Sequence, residues 1–207
     1  MEVLSNTNIS TAAELRRAQL LLVAKELILS DGVEALRHAA VAERAGVTRA
    51  VIYRYFPTQS DFIVAIGNEF IEALKQRLSP EKQIEAARAS VSSDFAAAEI
   101  YFDVVFSVLE DKGPASLMLL LEPDLTPKLK SFWASVDVEQ YGHWLQESAD
   151  LGITAIDSQV LIQVGKMTLL TLYKVYRAGE ISRNQAVSRV SYVICSLINT
   201  LRAKPCN

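Results

Sequence analysis

A short segment near residue 50 carries side chains of types that can form hydrogen bonds with nucleic acids. Thr48, Arg49, Ala50 and Tyr53 fall in the first turns of a predicted helix, about Thr48–Tyr55. An arginine can donate two hydrogen bonds to a guanine edge, and this pairing discriminates against a wrong base by about 1–3 kcal/mol. A tyrosine hydroxyl can donate to a phosphate oxygen, and the free N–H groups of a helix start attract phosphate. These residues therefore predict contact with double-stranded DNA.

The elements around this segment predict a helix-turn-helix. A short helix, about Arg37–Arg44, precedes the glycine-containing turn Ala45–Val47, and Thr48 stands where its hydroxyl can cap the next helix. That helix ends before Pro57, because a proline disfavours helical backbone in the residue before it. Two short helices joined in this way place the second one in the major groove of DNA.

Apolar residues recur at three- and four-residue steps along almost the whole chain, which indicates helices and no strands. The first helix is predicted at about Thr11–Ser30 and stops at Gly32. The fourth starts with Thr58-x-x-Asp61, runs to about Leu78 and stops near Pro80. The remaining predicted helices cover about Ser92–Asp111, a short stretch ending at Leu121, Pro127–Ala149, Ala155–Ala178 and Ser182–Ala203.

The predicted fold class is all-α, with an N-terminal three-helix helix-turn-helix DNA-binding domain and a C-terminal helical ligand-binding and dimerisation domain. We expect a disordered arm over residues 1–10, the helix-turn-helix domain over 11–57 and the second domain over 58–207. The net charge of −3 lies in the second part, since residues 1–62 hold seven basic and seven acidic side chains. DNA binding must therefore come from geometry and not from bulk charge.

Composition excludes several classes of protein. Only two histidines, His38 and His143, and two cysteines, Cys195 and Cys206, are present, and they show no metal-ligand spacing. No glycine-rich phosphate loop and no defensible pair of catalytic carboxylates appears, so we expect neither an enzyme nor a cofactor or metal. The start lacks the pattern of a signal peptide and no apolar stretch can span a bilayer, so we expect a cytoplasmic protein without membrane contact.

The segment Ala40–Gln59 resembles the DNA-binding signature of the TetR, or tetracycline-repressor-like, family. The Ala-Gly-Val-Thr turn at 45–48, the Tyr-x-Tyr-Phe ending at 53–56 and the preceding Gly32 match that family in type and spacing. The resemblance covers about residues 15–65, and the rest of the chain matches only in length and helical pattern.

The resemblance implies roles for individual residues. Thr48, Arg49 and Ala50 match the base-reading start of the recognition helix, and Tyr53 and Tyr55 match positions that touch the DNA backbone. The chain departs from the family pattern at Arg37 and His38, which replace frequent threonines; here we expect phosphate contact by charge and a lost helix cap. Gln59 replaces a frequent lysine, which weakens one phosphate contact, and Ala50 replaces a frequent glycine.

The resemblance also implies a ligand pocket and a dimer in the second domain. The pocket candidates are aromatic and methionine side chains, a kind of residue that is more often plain core than pocket lining: Tyr101, Phe102, Phe106, Met118, Trp133, Trp144, Met167 and Tyr173. The last two helices are apolar on more than one face, and an exposed apolar patch invites association. The dimer candidates on these helices are Leu172, Val190, Val193, Ile194, Leu197 and Leu201.

These predictions combine into a homodimeric repressor that binds a palindromic DNA operator and is released by a small apolar effector. Two-fold symmetry would place two recognition helices in successive major grooves. An alternative keeps the DNA binding but replaces the effector with a protein partner or with coating of the DNA.

Overall fold

The computed structural model describes residues 2–92, 94–121 and 155–202, and every regular element in these ranges is helical, as predicted. The helices are α1 (Glu2–Asp31), α2 (His38–Ala45), α3 (Arg49–Tyr55), α4 (Gln59–Arg77), α5 (Pro80–Ser92), α6 (Asp94–Lys112), α7 (Ala115–Leu121), α8 (Ala155–Arg177) and α9 (Arg183–Arg202), with a 3-10 turn at Val33–Ala35. The helix predicted at Pro127–Ala149, with Trp133 and Trp144, lies outside the described residues. Within the described ranges no helix has both the length and the apolarity to cross a bilayer.

The chain divides into two compact units, Met1–Glu69 and Phe70–Asn207. The sequence predicted a boundary between residues 57 and 58, whereas the first unit also includes the start of α4. Packing explains this difference, because Phe62 of α4 stacks on Phe56 at a ring-centroid distance of 4.0 Å and both rings are fully buried.

Helix α1 begins at Glu2, earlier than the predicted start at Thr11, so it includes residues 2–10, for which the sequence predicts a disordered arm. No glycine or proline stands in these residues to interrupt a helix. The helix ends as predicted at Gly32, whose φ of 86° is in the left-handed region and whose N–H donates to the Ile28 carbonyl at 3.0 Å.

The core of the first unit contains the predicted inner face of α1. Leu20, Leu21, Ala24, Leu27 and Ile28 are all buried. Burying a leucine or isoleucine side chain contributes about 1.5–3 kcal/mol, so this stripe is what fixes α1 against α2 and the 3-10 turn.

Helix α5 was not predicted from the sequence, in which Pro80 indicated only the end of the preceding helix. Proline is also favoured as the first residue of a helix, where its missing N–H is not needed. Ser79 precedes it and accepts a hydrogen bond from the Lys82 N–H at 3.4 Å, as a helix cap does. The helix then packs against α6.

In the second unit, α6 and α8 both pack on α9, and α8 also packs on α7. A close approach of α8 to α9 occurs at Gly165, where an added Cβ would lie 3.3 Å from Cδ1 of Ile194. Polar bonds link the same helices: Arg183 donates to the Asp103 carboxylate at 2.5 Å, and the Tyr173 hydroxyl donates to the Leu109 carbonyl at 2.8 Å. Burial raises the pKa of the Tyr173 hydroxyl above its ordinary value.

We expect Tyr173→Phe to lower the free energy of unfolding by about 1 kcal/mol, the net value of one neutral hydrogen bond. The Leu109 carbonyl keeps the Gly113 N–H as a partner at 2.9 Å, so the larger cost of an unsatisfied acceptor does not arise. Urea unfolding followed by circular dichroism measures the change. Tyr53→Phe, measured without DNA, is the matched control, because the Tyr53 ring is exposed and its hydroxyl has no partner among the described residues; equal effects of the two substitutions would contradict the prediction.

Candidate nucleic-acid interface

The turn between α2 and α3 is built on Gly46. Its φ of 64° and ψ of 34° lie in the left-handed region, where a residue with a Cβ pays about 1–2 kcal/mol. The Gly46 N–H donates to the Glu43 carbonyl at 3.2 Å, and the Val47 N–H donates to the Ala42 carbonyl at 3.0 Å. This pair of bonds is a Schellman motif, so the predicted break at residues 45–47 is confirmed and has a local cause.

Helix α3 presents one face to the core and the other to solvent. Ile52 is fully buried, whereas Arg49, Ala50, Tyr53 and Arg54 are exposed. These four positions fall on one side of a helix with 3.6 residues per turn. The predicted base-reading residues therefore lie on an accessible surface, and Tyr55 beside them is half-buried.

Neither short helix starts with a side-chain cap. Arg37 and Thr48 are the N-cap residues of α2 and α3, and neither makes a side-chain capping bond. The loss of the cap at α2 was predicted, but the prediction that the Thr48 hydroxyl caps α3 is wrong. Because Thr48 is exposed and makes no side-chain hydrogen bond among the described residues, its hydroxyl is available to a partner outside the chain.

Two residues predicted to meet DNA have polar partners inside the chain. The Gln59 side-chain amide donates to the Leu36 carbonyl at 2.7 Å, and His38 Nε2 bonds to the Phe56 carbonyl at 2.8 Å. Since a carbonyl only accepts, Nε2 carries the proton and donates. Both side chains were predicted to contact phosphate. In the structure their polar atoms instead form hydrogen bonds that help to hold α2, α3 and α4 together.

Exposed cations remain on this surface although the segment has no net charge. Arg44 pairs with Asp31 at 2.8 Å, and Lys25 pairs with Glu69. In the described part of the chain, by contrast, Arg37, Arg49 and Arg54 make no ion pair. Arg54 was missed from the sequence, although its position directly after Tyr53 on the outer face of α3 was enough to find it.

The predicted pocket residues of the second unit do not converge on one cavity within the described ranges. Phe106 and Tyr173 are buried core, with ring centroids 6.0 Å apart. Tyr101 and Phe102 are half-buried and meet edge to face at 5.3 Å, and Met118 is half-buried elsewhere. Met167 is 56% exposed, while Trp133 and Trp144 lie outside the described residues.

The predicted dimer residues separate into two groups. Val190 and Ile194 are buried by the chain itself, which removes them from a surface for a partner. Leu172, Leu197 and Leu201 are half-buried, and Val193 is 36% exposed. An open depression of about 660 Å³ lies on this side of α8 and α9, and it is lined by Phe95, Met167, Thr168, Thr171, Leu172, Ser188, Arg189, Tyr192 and Val193. Tyr192, the most exposed of its large apolar residues, was not predicted.

These features define a class of protein: a helix-turn-helix DNA-binding unit followed by an all-helical second unit. Comparison with known proteins agrees with this class. The family of bacterial regulatory proteins of the tetR type matches residues 20–66. The HTH-type transcriptional repressor KstR of Mycolicibacterium smegmatis is 41% identical over 70 residues, which are 33% of this chain and 34% of that protein. The match thus spans about a third of the length of this curated relative.

Solved structures extend the likeness to the whole fold. A tetR-family transcriptional regulator from Streptomyces coelicolor matches with a TM-score of 0.50 and 17% identity over 92% of this chain and 83% of its own. A tetR-family regulator from Shewanella sp. PV-4 matches with a TM-score of 0.56 and 14% identity over 90% and 97%. Residues 20–66 thus match the DNA-binding part of the TetR family of bacterial regulatory proteins, and over the rest of the chain the likeness to members of that family is one of fold.

Proposed function

We propose that the chain is a homodimeric transcriptional repressor that binds a palindromic operator through α3 and releases it when a small apolar ligand binds the second unit. The observation that carries the proposal is the outer face of α3. Arg49, Tyr53 and Arg54 are exposed there, and Arg37, the N-cap residue of α2, is also exposed; among the described residues none of the three arginines makes an ion pair. Guanidinium groups in this setting suit both base edges and phosphates.

The exposed apolar face of α8 and α9 supports the dimer. Met167, Tyr192 and Val193 lie around an open depression on these two helices. Their apolar side chains are exposed to solvent and are not packed into the core of the chain. A second copy of the chain covers such a face in a two-fold arrangement, because the same patch then serves both partners. The dimer carries two copies of α3 to the two halves of a palindrome.

The half-buried Tyr101, Phe102 and Met118 are the candidates for contact with an apolar ligand, because they are neither packed fully into the core nor directed fully to solvent. A ligand changes DNA affinity only to the extent that it prefers one state of the dimer over the other. A thermal-shift screen of apolar compounds tests for such a ligand, which should raise the melting temperature of the protein. The same compound should lower the affinity of the protein for its operator DNA in a binding assay.

Selection of binding sites from random duplex DNA tests the repressor proposal directly. We expect the enriched sequences to be palindromic, with half-sites about one helical turn, roughly 34–36 Å, apart. We also expect the logarithm of the association constant to fall with the logarithm of salt concentration with a slope of roughly −4. Arg37 and Arg54 of two protomers neutralise four phosphates, and each contributes about −0.9. No enriched sequence, or a slope near zero, would contradict the proposal.

A further inference from the structure

The exposed tyrosine of the recognition helix is held by a residue of the preceding helix. The Tyr53 ring is 52% exposed, and the His38 ring stacks on it with centroids 4.5 Å apart and planes 16° apart. Among the described residues the Tyr53 hydroxyl has no partner. The stack therefore leaves the hydroxyl free for a ligand and restricts where the ring can point.

His38 is itself fixed on its other sides. Its Nε2–H donates to the Phe56 carbonyl at the end of α3 at 2.8 Å, and the Phe62 ring lies at 62° to its ring with centroids 5.8 Å apart. Phe62 in turn stacks on the fully buried Phe56. The imidazole is thus anchored against the core of the first unit by one aromatic contact and one hydrogen bond, and one of its faces stacks on Tyr53.

We infer that His38 is a positioning residue that orients the Tyr53 ring for contact with the DNA backbone, and not itself the main phosphate ligand. This inference rests on the proposed function, since it assigns Tyr53 a DNA phosphate as its partner. A ring that is already in its bound orientation loses less conformational freedom on binding, which increases affinity without any added contact. The hydrogen bond to the Phe56 carbonyl fixes the plane of the His38 imidazole, and the stacking contact then orients the Tyr53 ring nearly parallel to that plane.

Two substitutions separate the stack from the hydrogen bond. His38→Phe keeps an aromatic ring against Tyr53 but cannot donate to the Phe56 carbonyl, whereas His38→Gln keeps a donor at similar reach but has no ring. An aromatic pair is worth a factor of about two to ten in an equilibrium constant. We expect His38→Ala and His38→Gln to weaken binding of a selected operator duplex by about this factor, and His38→Phe to stay within about twofold of the wild type.

The same His38 substitutions in a Tyr53→Ala background complete a double-mutant cycle. If His38 acts through Tyr53, removing the imidazole has no further effect on operator affinity once the phenol ring is gone. Thermal unfolding of each variant shows whether the fold is kept. A purely structural role predicts instead that His38→Phe weakens binding as much as His38→Ala, and that the loss persists without Tyr53; either result overturns the inference. A wild-type protein that binds no selected duplex overturns the proposed function instead.

Discussion

We expect replacing Arg49 and Tyr53 together by alanine to lower the affinity for operator DNA by at least about 100-fold. A bidentate contact of arginine to a guanine is worth about 1–3 kcal/mol, and a hydrogen bond to a charged phosphate about 1.5–3 kcal/mol. Both side chains lie on the exposed face of α3, and a dimer loses each of them twice. Fluorescence anisotropy with a labelled operator duplex at fixed salt measures the loss.

The two single substitutions divide this effect between specificity and general affinity. Arg49→Ala should relax the preference for one base pair in each half-site, whereas Tyr53→Phe should weaken operator and unrelated DNA by a similar factor. Arg88→Ala is the charge-matched control, because Arg88 is an exposed arginine on α5 in the second unit. The assignment of α3 as the recognition helix fails if the double variant binds the operator as tightly as the control.

The helix-turn-helix could be predicted from the sequence because its determinants are local. Gly46 needs a left-handed backbone, Pro57 ends the helix before it, and Asp61 accepts bonds from the backbone N–H and hydroxyl of Thr58 at 2.6 and 2.8 Å. Each of these effects acts within a few residues. The residues on the outer face of α3 follow from helical spacing alone, so Arg54 could also have been predicted to lie on this face.

The internal partners of His38 and Gln59 could not be predicted in the same way. Their bonds reach the Phe56 and Leu36 carbonyls, 18 and 23 residues away in the chain. Such contacts depend on how helices pack, and a polar side chain near a DNA surface gives no sign of whether its partner is a phosphate or a carbonyl. The resemblance to the family assigned the side chains of His38 and Gln59 to DNA contact, whereas in the fold both form hydrogen bonds to backbone carbonyls.

The proposed dimer face of α8 and α9 could not be predicted in detail from the sequence either. Helix α9 has apolar residues on several sides, and periodicity does not tell which side meets α6 and α8 and which remains outside. The close contact of Gly165 with Ile194 turns Val190 and Ile194 inward and leaves Tyr192 and Val193 outward. The packing of α8 against α9 thus determines which side chains of α9 remain accessible to a second chain.

If the exposed face of α8 and α9 joins two chains as proposed, Tyr192→Glu is expected to convert the dimer into monomers and to lower operator affinity by about 100- to 10,000-fold. In a two-fold interface the substitution introduces two carboxylates, and a buried unpaired charge costs several kcal/mol. A monomer contacts one half-site only and loses the avidity of the linked pair, which is worth a factor of about 10²–10⁴. Light scattering coupled to size-exclusion chromatography gives the mass, and anisotropy gives the affinity.

Ile84→Glu provides the matched control for this prediction. Ile84 is 52% exposed on α5, so the change introduces the same carboxylate at an apolar surface position away from α8 and α9. This variant should keep both the dimer mass and the operator affinity. Circular dichroism of both variants tests whether the helices persist. A Tyr192→Glu protein that is folded, dimeric and fully able to bind the operator would show that the exposed face of α8 and α9 does not join the two chains.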